Sequence, residues 1–134
     1  MESEFYINLL KKVFQLSKQA WSPYSKIQVA AILITEDNLL FEGVNVENSS
    51  YGLTICAERN AIGHAIAHGY RNFKHIFLYS PQIPNILPCG ACRQVLAEFN
   101  PSIPIITSDS NFNFQIIQLN EIFPSYFSLT NYSN

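Results

Sequence analysis

Thr54-Ile55-Cys56-Ala57-Glu58-Arg59 and Pro88-Cys89-Gly90-Ala91-Cys92-Arg93 decide how this chain is read, because each sets cysteine where a helix is predicted to begin. Together the two stretches hold all three cysteines of the 134 residues. A helix start offers unpaired N–H groups and partial positive charge, and both stabilise thiolate. From Ile55 the helical pattern runs to His68 and stops at Gly69, and from Cys89 it runs to Phe99 before Asn100-Pro101.

Working outward, short apolar runs precede and follow these helices. Ile27 to Ile34 is β-branched and almost wholly apolar, as expected of a strand covered on both faces. Glu36-Asp37-Asn38 turns the chain into an antiparallel partner, Leu39 to Val46. The polar stretch from Asn45 to Thr54 then reads as a loop leading to Cys56, and His75 to Tyr79 reads as the next strand. Ile103 to Thr107 and Phe112 to Leu119 are joined only by Ser108-Asp109-Ser110-Asn111, which allows an antiparallel hairpin and excludes a parallel crossover. At the N-terminus, Ser3 is a candidate cap for an amphipathic helix carrying Tyr6, Ile7, Leu10, Val13, Phe14 and Leu16.

The order is therefore helix, hairpin, helix, strand, helix, hairpin. It predicts an α/β fold, a three-layer α/β/α sandwich on a five-stranded mixed sheet, as one domain over residues 1–134. Crossovers are expected from the first strand to the third and from the third to the fourth. Both cysteine-bearing helices would then start at the carboxyl ends of parallel strands, where α/β folds place ligands. Leu119 to Phe123 is a short turn, and after about residue 128 the tail is polar, its last residues expected to be disordered.

Composition narrows the partners. Apolar residues make up 48% and charged residues 13%, with a formal net charge of −2. Nucleic-acid binding depends on Lys and Arg neutralising many phosphates, a footprint this chain lacks. No apolar run is long enough to span a membrane, and Met1-Glu2-Ser3-Glu4 is acidic where a secretory signal is positive. The expectation is a cytoplasmic protein acting on a small molecule, its odd cysteine count serving metal or catalysis rather than a disulfide framework.

Three thiolates suit zinc, which favours soft ligands in tetrahedral geometry. His64 cannot complete the set: it lies eight residues past Cys56, about 12 Å along a helix rising about 1.5 Å per residue. His68 is farther still, and His75 falls at the opposite end of the sandwich. The fourth position is thereby free for water, the mark of catalytic zinc. Glu58, on the same turn as Cys56, is placed to move a proton. Three thiolates around Zn²⁺ leave a net charge of about −1, which Arg59 and Arg93 can offset by hydrogen bonding to sulfur. Glu98, deeper in its helix, reads as a structural or surface carboxylate, and Asn45 and Glu47 as binding groups or as braces for their loop.

Cys56-Ala57-Glu58-Arg59 followed by Pro88-Cys89-Gly90-Ala91-Cys92-Arg93-Gln94 resembles the cytidine deaminase family, in its small form with three cysteine ligands. The likeness extends from Pro23-Tyr24-Ser25-Lys26 through Gly43-Val44-Asn45-Val46-Glu47-Asn48 to Phe123-Pro124-Ser125-Tyr126-Phe127. It implies one zinc per subunit on Cys56, Cys89 and Cys92, and hydrolysis at C4 of cytosine in cytidine and deoxycytidine. Glu58 would protonate N3 and later help the amine leave as ammonia. The Ala57 N–H would hold the base carbonyl, and the Leu87 carbonyl would face the amine. Asn45 and Glu47, with Val46 between them, would meet the nucleoside. The resemblance also implies a homotetramer in pyrimidine salvage, with Tyr51 and Phe127 reaching into neighbouring sites. Ile27, Ala30 and Leu87 depart from the family's usual phenylalanine, glycine and serine.

Two other readings stand beside this one. A related deaminase acting on a modified cytosine nucleoside such as blasticidin S would use the same centre. A noncatalytic structural zinc module would close the fourth position and release no ammonia.

Overall fold

In the computed structural model, which describes residues 2–132, the chain folds in the order helix α1 (Glu2–Ser17), strands β1 (Ala30–Thr35) and β2 (Leu40–Val44), helix α2 (Ala57–Ala67), strand β3 (Phe73–Tyr79), helix α3 (Gly90–Phe99), strands β4 (Pro104–Ser108) and β5 (Phe114–Gln118), and a last turn α4 (Leu119–Ile122). Single 3₁₀ turns occupy Tyr51–Leu53 and Leu129–Tyr132. The order expected from sequence holds, with boundaries moved by a few residues. One such shift removes a role: α1 includes Glu2, so Ser3 lies inside its first turn rather than capping it. The expected disorder of the last residues concerns Ser133 and Asn134, which lie outside the described residues.

The five strands form one mixed sheet in the order β2-β1-β3-β4-β5. Here one expectation is corrected. β3 runs antiparallel to β1, pairing Ala30 with Tyr79 and Ile34 with His75, so no crossover joins those two strands. The hairpin reverses the chain before α2 begins, and the crossover leaves from β2. It lands on β3, parallel to β2 with β1 between them. The second crossover, through α3, joins β3 to parallel β4, and a hairpin adds β5 antiparallel. Both cysteine-bearing helices still start beyond the carboxyl ends of parallel strands.

Alternation along the strands separates two apolar layers. Ala31, Leu33, Ile76, Leu78 and Ile105 face α2 and α3. Ala30, Ile32, Ile34, Phe77, Tyr79 and Ile106 face α1 through Tyr6, Leu9, Leu10 and Val13. All six residues of β1 are buried, as its unbroken apolar run predicts. On α2, the stripe Ala57, Ala61, Ala65 is fully buried and lets the helix settle close to the sheet. The approach is closest at Gly43, where an added Cβ would lie 2.3 Å from the Ala57 carbonyl oxygen and 2.4 Å from the Ala61 nitrogen. Only glycine fits, and this contact fixes the height of the first turn of α2, which carries Glu58. Among the described residues no helix is long and apolar enough to cross a membrane.

Candidate active site

The two helix starts form as the sequence predicts. Cys56 is the N-cap of α2 and Cys89 the N-cap of α3, each in extended backbone, with their carbonyls accepting from the Asn60 and Arg93 amides. Neither sulfur caps a backbone N–H of the helix it precedes, so both side chains remain available to a metal. Cys92, one turn into α3, is fully buried. The packing of α2 and α3 on one face of the sheet brings the three Sγ atoms within 4.8 Å of one another.

That spacing fits zinc. Cys56 Sγ and Cys89 Sγ are 3.9 Å apart, and two thiolates at a tetrahedral angle on Zn–S bonds of about 2.3 Å stand about 3.8 Å apart. All three cysteines are free thiols. Within the cluster the Cys56 thiol is pulled down to about 5, chiefly by a hydrogen bond from Cys92, with Arg59 and Cys89 adding to the effect against burial. Cys92 is pushed up by giving that hydrogen bond and by burial. One sulfur thus holds negative charge that its neighbours share, as a cation-binding cluster requires.

The two arginines divide. Arg59 directs Nη2 at Cys56 Sγ over 3.6 Å, as expected of a cation offsetting thiolate charge. Arg93 differs from the expectation of a sulfur partner: its Nε donates to the Pro88 carbonyl at 2.8 Å and its Nη1 to the Ile122 carbonyl at 3.0 Å. The fork of the guanidinium suits two carbonyls, and it pins the loop before Cys89 to the C-terminal turn α4.

Glu58 lies on the first turn of α2 and is only 4% exposed. Burial is the main cause that lifts its carboxyl to about 7, the charge on Cys56 adds to it, and its own backbone N–H, Cys92 and Arg59 oppose it. A carboxyl with a pKa near neutrality can both take and return a proton. It opens on a cavity of about 160 Å³ lined by Val29, Asn45, Cys56, Ala57, Leu87 and Cys89 among others. Thr54 lines both this space and a wider, outer one of about 420 Å³ that includes Tyr24, Ser25, Glu47 and Tyr51.

The remaining residues singled out from sequence fall at different depths. Asn45 is buried and commits part of its amide to the backbone: Oδ1 accepts from Val29 N at 2.9 Å and Nδ2 donates to the Ile27 carbonyl at 2.8 Å. Those two bonds continue the tie between the two strands beyond the Ala30–Val44 pair, ahead of the start of β1. Glu47 is held ionised by the Ser25 hydroxyl, the largest cause of its lowered pKa, and by the amides of Ser25 and Tyr24. The side chain of Val46 lies 44% exposed in a separate groove beside Leu16 and Gly43, while its backbone bridges Trp21 and Ile55. Tyr51, 75% exposed, stands edge-on to Tyr24 over the outer space. Phe127 is 55% exposed, lines neither cavity, and accepts from Gln94 Nε2 through its carbonyl. Glu98 is exposed, as expected. Val29 and Ile86 were missed by sequence reasoning, since nothing in an apolar residue marks it as lining a cavity.

A thiolate trio beside a buried carboxyl, at the strand ends where α/β sheets hold ligands, defines a metal-dependent hydrolytic centre. Comparison with known proteins makes this specific. Residues 3–107 match the family model for the cytidine and deoxycytidylate deaminase zinc-binding region. The cytidine deaminase of Sporosarcina psychrophila is 40% identical over 112 residues, covering 83% of this chain and 82% of its own. That of Halalkalibacterium halodurans is 38% identical over 121 residues, covering 90% and 92%. The crystal structure of cytidine deaminase from Burkholderia pseudomallei superposes with a TM-score of 0.84 at 36% identity, over 90% of this chain and 97% of that one. The chain belongs to the cytidine and deoxycytidylate deaminase family, and its resident ion is zinc.

Proposed function

We propose that this chain is a zinc-dependent cytidine deaminase, converting cytidine and deoxycytidine with water into uridine, deoxyuridine and ammonia. The observation that carries the reading is Glu58, buried with its carboxyl near neutrality beside the three sulfurs and facing a cavity of about 160 Å³. Cys56, Cys89 and Cys92 hold the zinc, which supplies Lewis acidity that lowers the pKa of a water.

The rest of the work falls to side chains and backbone. Glu58 takes one proton from the attacking water and gives it to N3 as the oxygen bonds to C4, then carries that water's second proton to the C4 amine, which leaves as ammonia. The Ala57 N–H, in the unpaired first turn of α2, meets the base carbonyl, and the Leu87 carbonyl receives the amine. Asn45 keeps one amide hydrogen beyond its two backbone bonds, and that hydrogen is directed to a ribose hydroxyl. Glu47, ionised and anchored by Ser25 and Tyr24, accepts from the ribose and separates nucleoside from free base. Val46 contributes by its bridge to Ile55, which carries the loop up to Cys56. Arg59 steadies the thiolate charge.

Exposed apolar side chains support a homotetramer in which Tyr51 and Phe127 reach neighbouring sites: Trp21 is 59% exposed, Leu53 64% and Leu129 71%. Three free thiols at a metal centre suit the reducing cytoplasm, and the reaction suits pyrimidine salvage. Incubation of the zinc-loaded protein with cytidine, deoxycytidine and blasticidin S, followed by ultraviolet absorbance and ammonia release, separates the readings. Turnover of the plain nucleosides supports the proposal. Turnover of blasticidin S alone, or no ammonia from any of the three, overturns it.

A further inference from the structure

On the outer side of α2, well away from the sulfur cluster, two imidazoles stand one helical turn apart. His64 and His68 are both exposed, with ring centres 4.9 Å apart and planes inclined at 70°. Phe41, itself buried, packs against both rings from below, at 5.2 and 5.4 Å. The rings therefore rest on a fixed apolar floor.

Their tautomers are set by their neighbours. His64 Nδ1 lies 3.2 Å from the carbonyl oxygen of Glu42, and His68 Nδ1 lies 2.9 Å from that of His64. A carbonyl can only accept, so in each neutral ring Nδ1 carries the hydrogen and Nε2 carries the lone pair. An Nδ1–H donated to a backbone carbonyl is the arrangement that orients metal-ligating histidines and raises their basicity.

The spacing agrees. With metal–nitrogen bonds of about 2.1 Å and each nitrogen about 1.1 Å from its ring centre, two imidazoles on one ion at 90 to 110° have centres roughly 4.5 to 5.3 Å apart. The observed separation falls inside that interval. We propose that His64 and His68 form a second, surface metal site, binding one divalent transition ion of the nickel, copper or zinc class through their Nε2 atoms, with water completing the shell. Imidazole pairs of this kind favour nickel and copper over manganese or magnesium. Because His64 is also bonded to β2, an ion here ties the second half of α2 to the sheet edge.

The test uses the zinc-loaded full chain, so that the cysteine centre is already filled, and Ni²⁺ as the probe. Equilibrium dialysis at micromolar Ni²⁺ is expected to show one nickel per chain bound in addition to the zinc, with thermal unfolding moved upward. His64→Gln and His68→Gln are each expected to weaken nickel binding tenfold or more, leaving zinc content and deaminase rate unchanged. Absence of saturable nickel uptake, or uptake unaltered by either substitution or lost with only one, would overturn the shared site. The nickel uptake and the unfolding shift do not depend on which nucleoside the enzyme turns over.

Discussion

Gly43 and Ala57 pass so closely that a Cβ on the glycine would stand 2.3 Å from the alanine's carbonyl oxygen. The obstructing atoms are backbone, so no rotamer change relieves the clash. Gly43→Ala is expected to lower stability by about 1 to 3 kcal/mol, the usual cost of overpacking, read as a shift in urea midpoint. Since α2 must move outward to admit the methyl, and Glu58 moves with it, kcat is expected to fall by more than the loss of folded protein accounts for.

Glu58 and its neighbours make a second case. Glu58→Gln keeps the shape of the side chain and removes its proton traffic. Zinc content measured on the purified variant is expected to stay at one per chain, while turnover falls by about 10²- to 10⁴-fold. A variant that works at the parental rate would take Glu58 out of the mechanism.

The two arginines should fail in different ways. Arg59→Met removes the cation next to Cys56 Sγ and is expected to weaken zinc retention by about 10- to 100-fold in competition with a chelator. Arg93→Met removes the ties to Pro88 and Ile122 and is expected to appear first as lost stability. Chelator competition and denaturant melts on both variants decide this.

His75 gives the fold a pH dependence away from the site. Burial is the main cause that lowers its pKa, Lys74 adding to it and Glu2 and Glu36 opposing, and its Nδ1 is buried without a hydrogen-bond partner among the described residues. The folded chain therefore binds a proton less readily than the unfolded one. The stability His75 contributes is present above the unfolded value of about 6.5 and is lost as pH falls through the folded pKa. Tyr6 and Phe77 flank the ring at 6.0 and 6.2 Å, so His75→Phe is expected to flatten the acid limb of a stability–pH profile without lowering stability at neutral pH.

Much of this was legible in the sequence, for local reasons. Cysteine followed by a helical pattern marks a helix start, and a four-residue connection between apolar runs demands a hairpin. What was not legible depends on distance along the chain. The direction of β3 against β1 turns on which strand of the hairpin β3 lies beside, and periodicity carries no such information. Arg93 sits beside a cysteine in sequence yet bonds to Ile122, a partner that only the folded chain supplies. Asn45 reads as a loop residue until its amide is seen holding Ile27 and Val29. The Ala57, Ala61, Ala65 stripe and Gly43 were visible as letters, but their meaning lies in the contact between them.

The most direct measurement is the absorbance change of cytidine mixed with zinc-loaded protein, with ammonia counted alongside. One ammonia is expected for each uridine formed, with the rate collapsing once a chelator strips the zinc. Fully loaded, folded protein that leaves both cytidine and deoxycytidine intact would contradict the assignment.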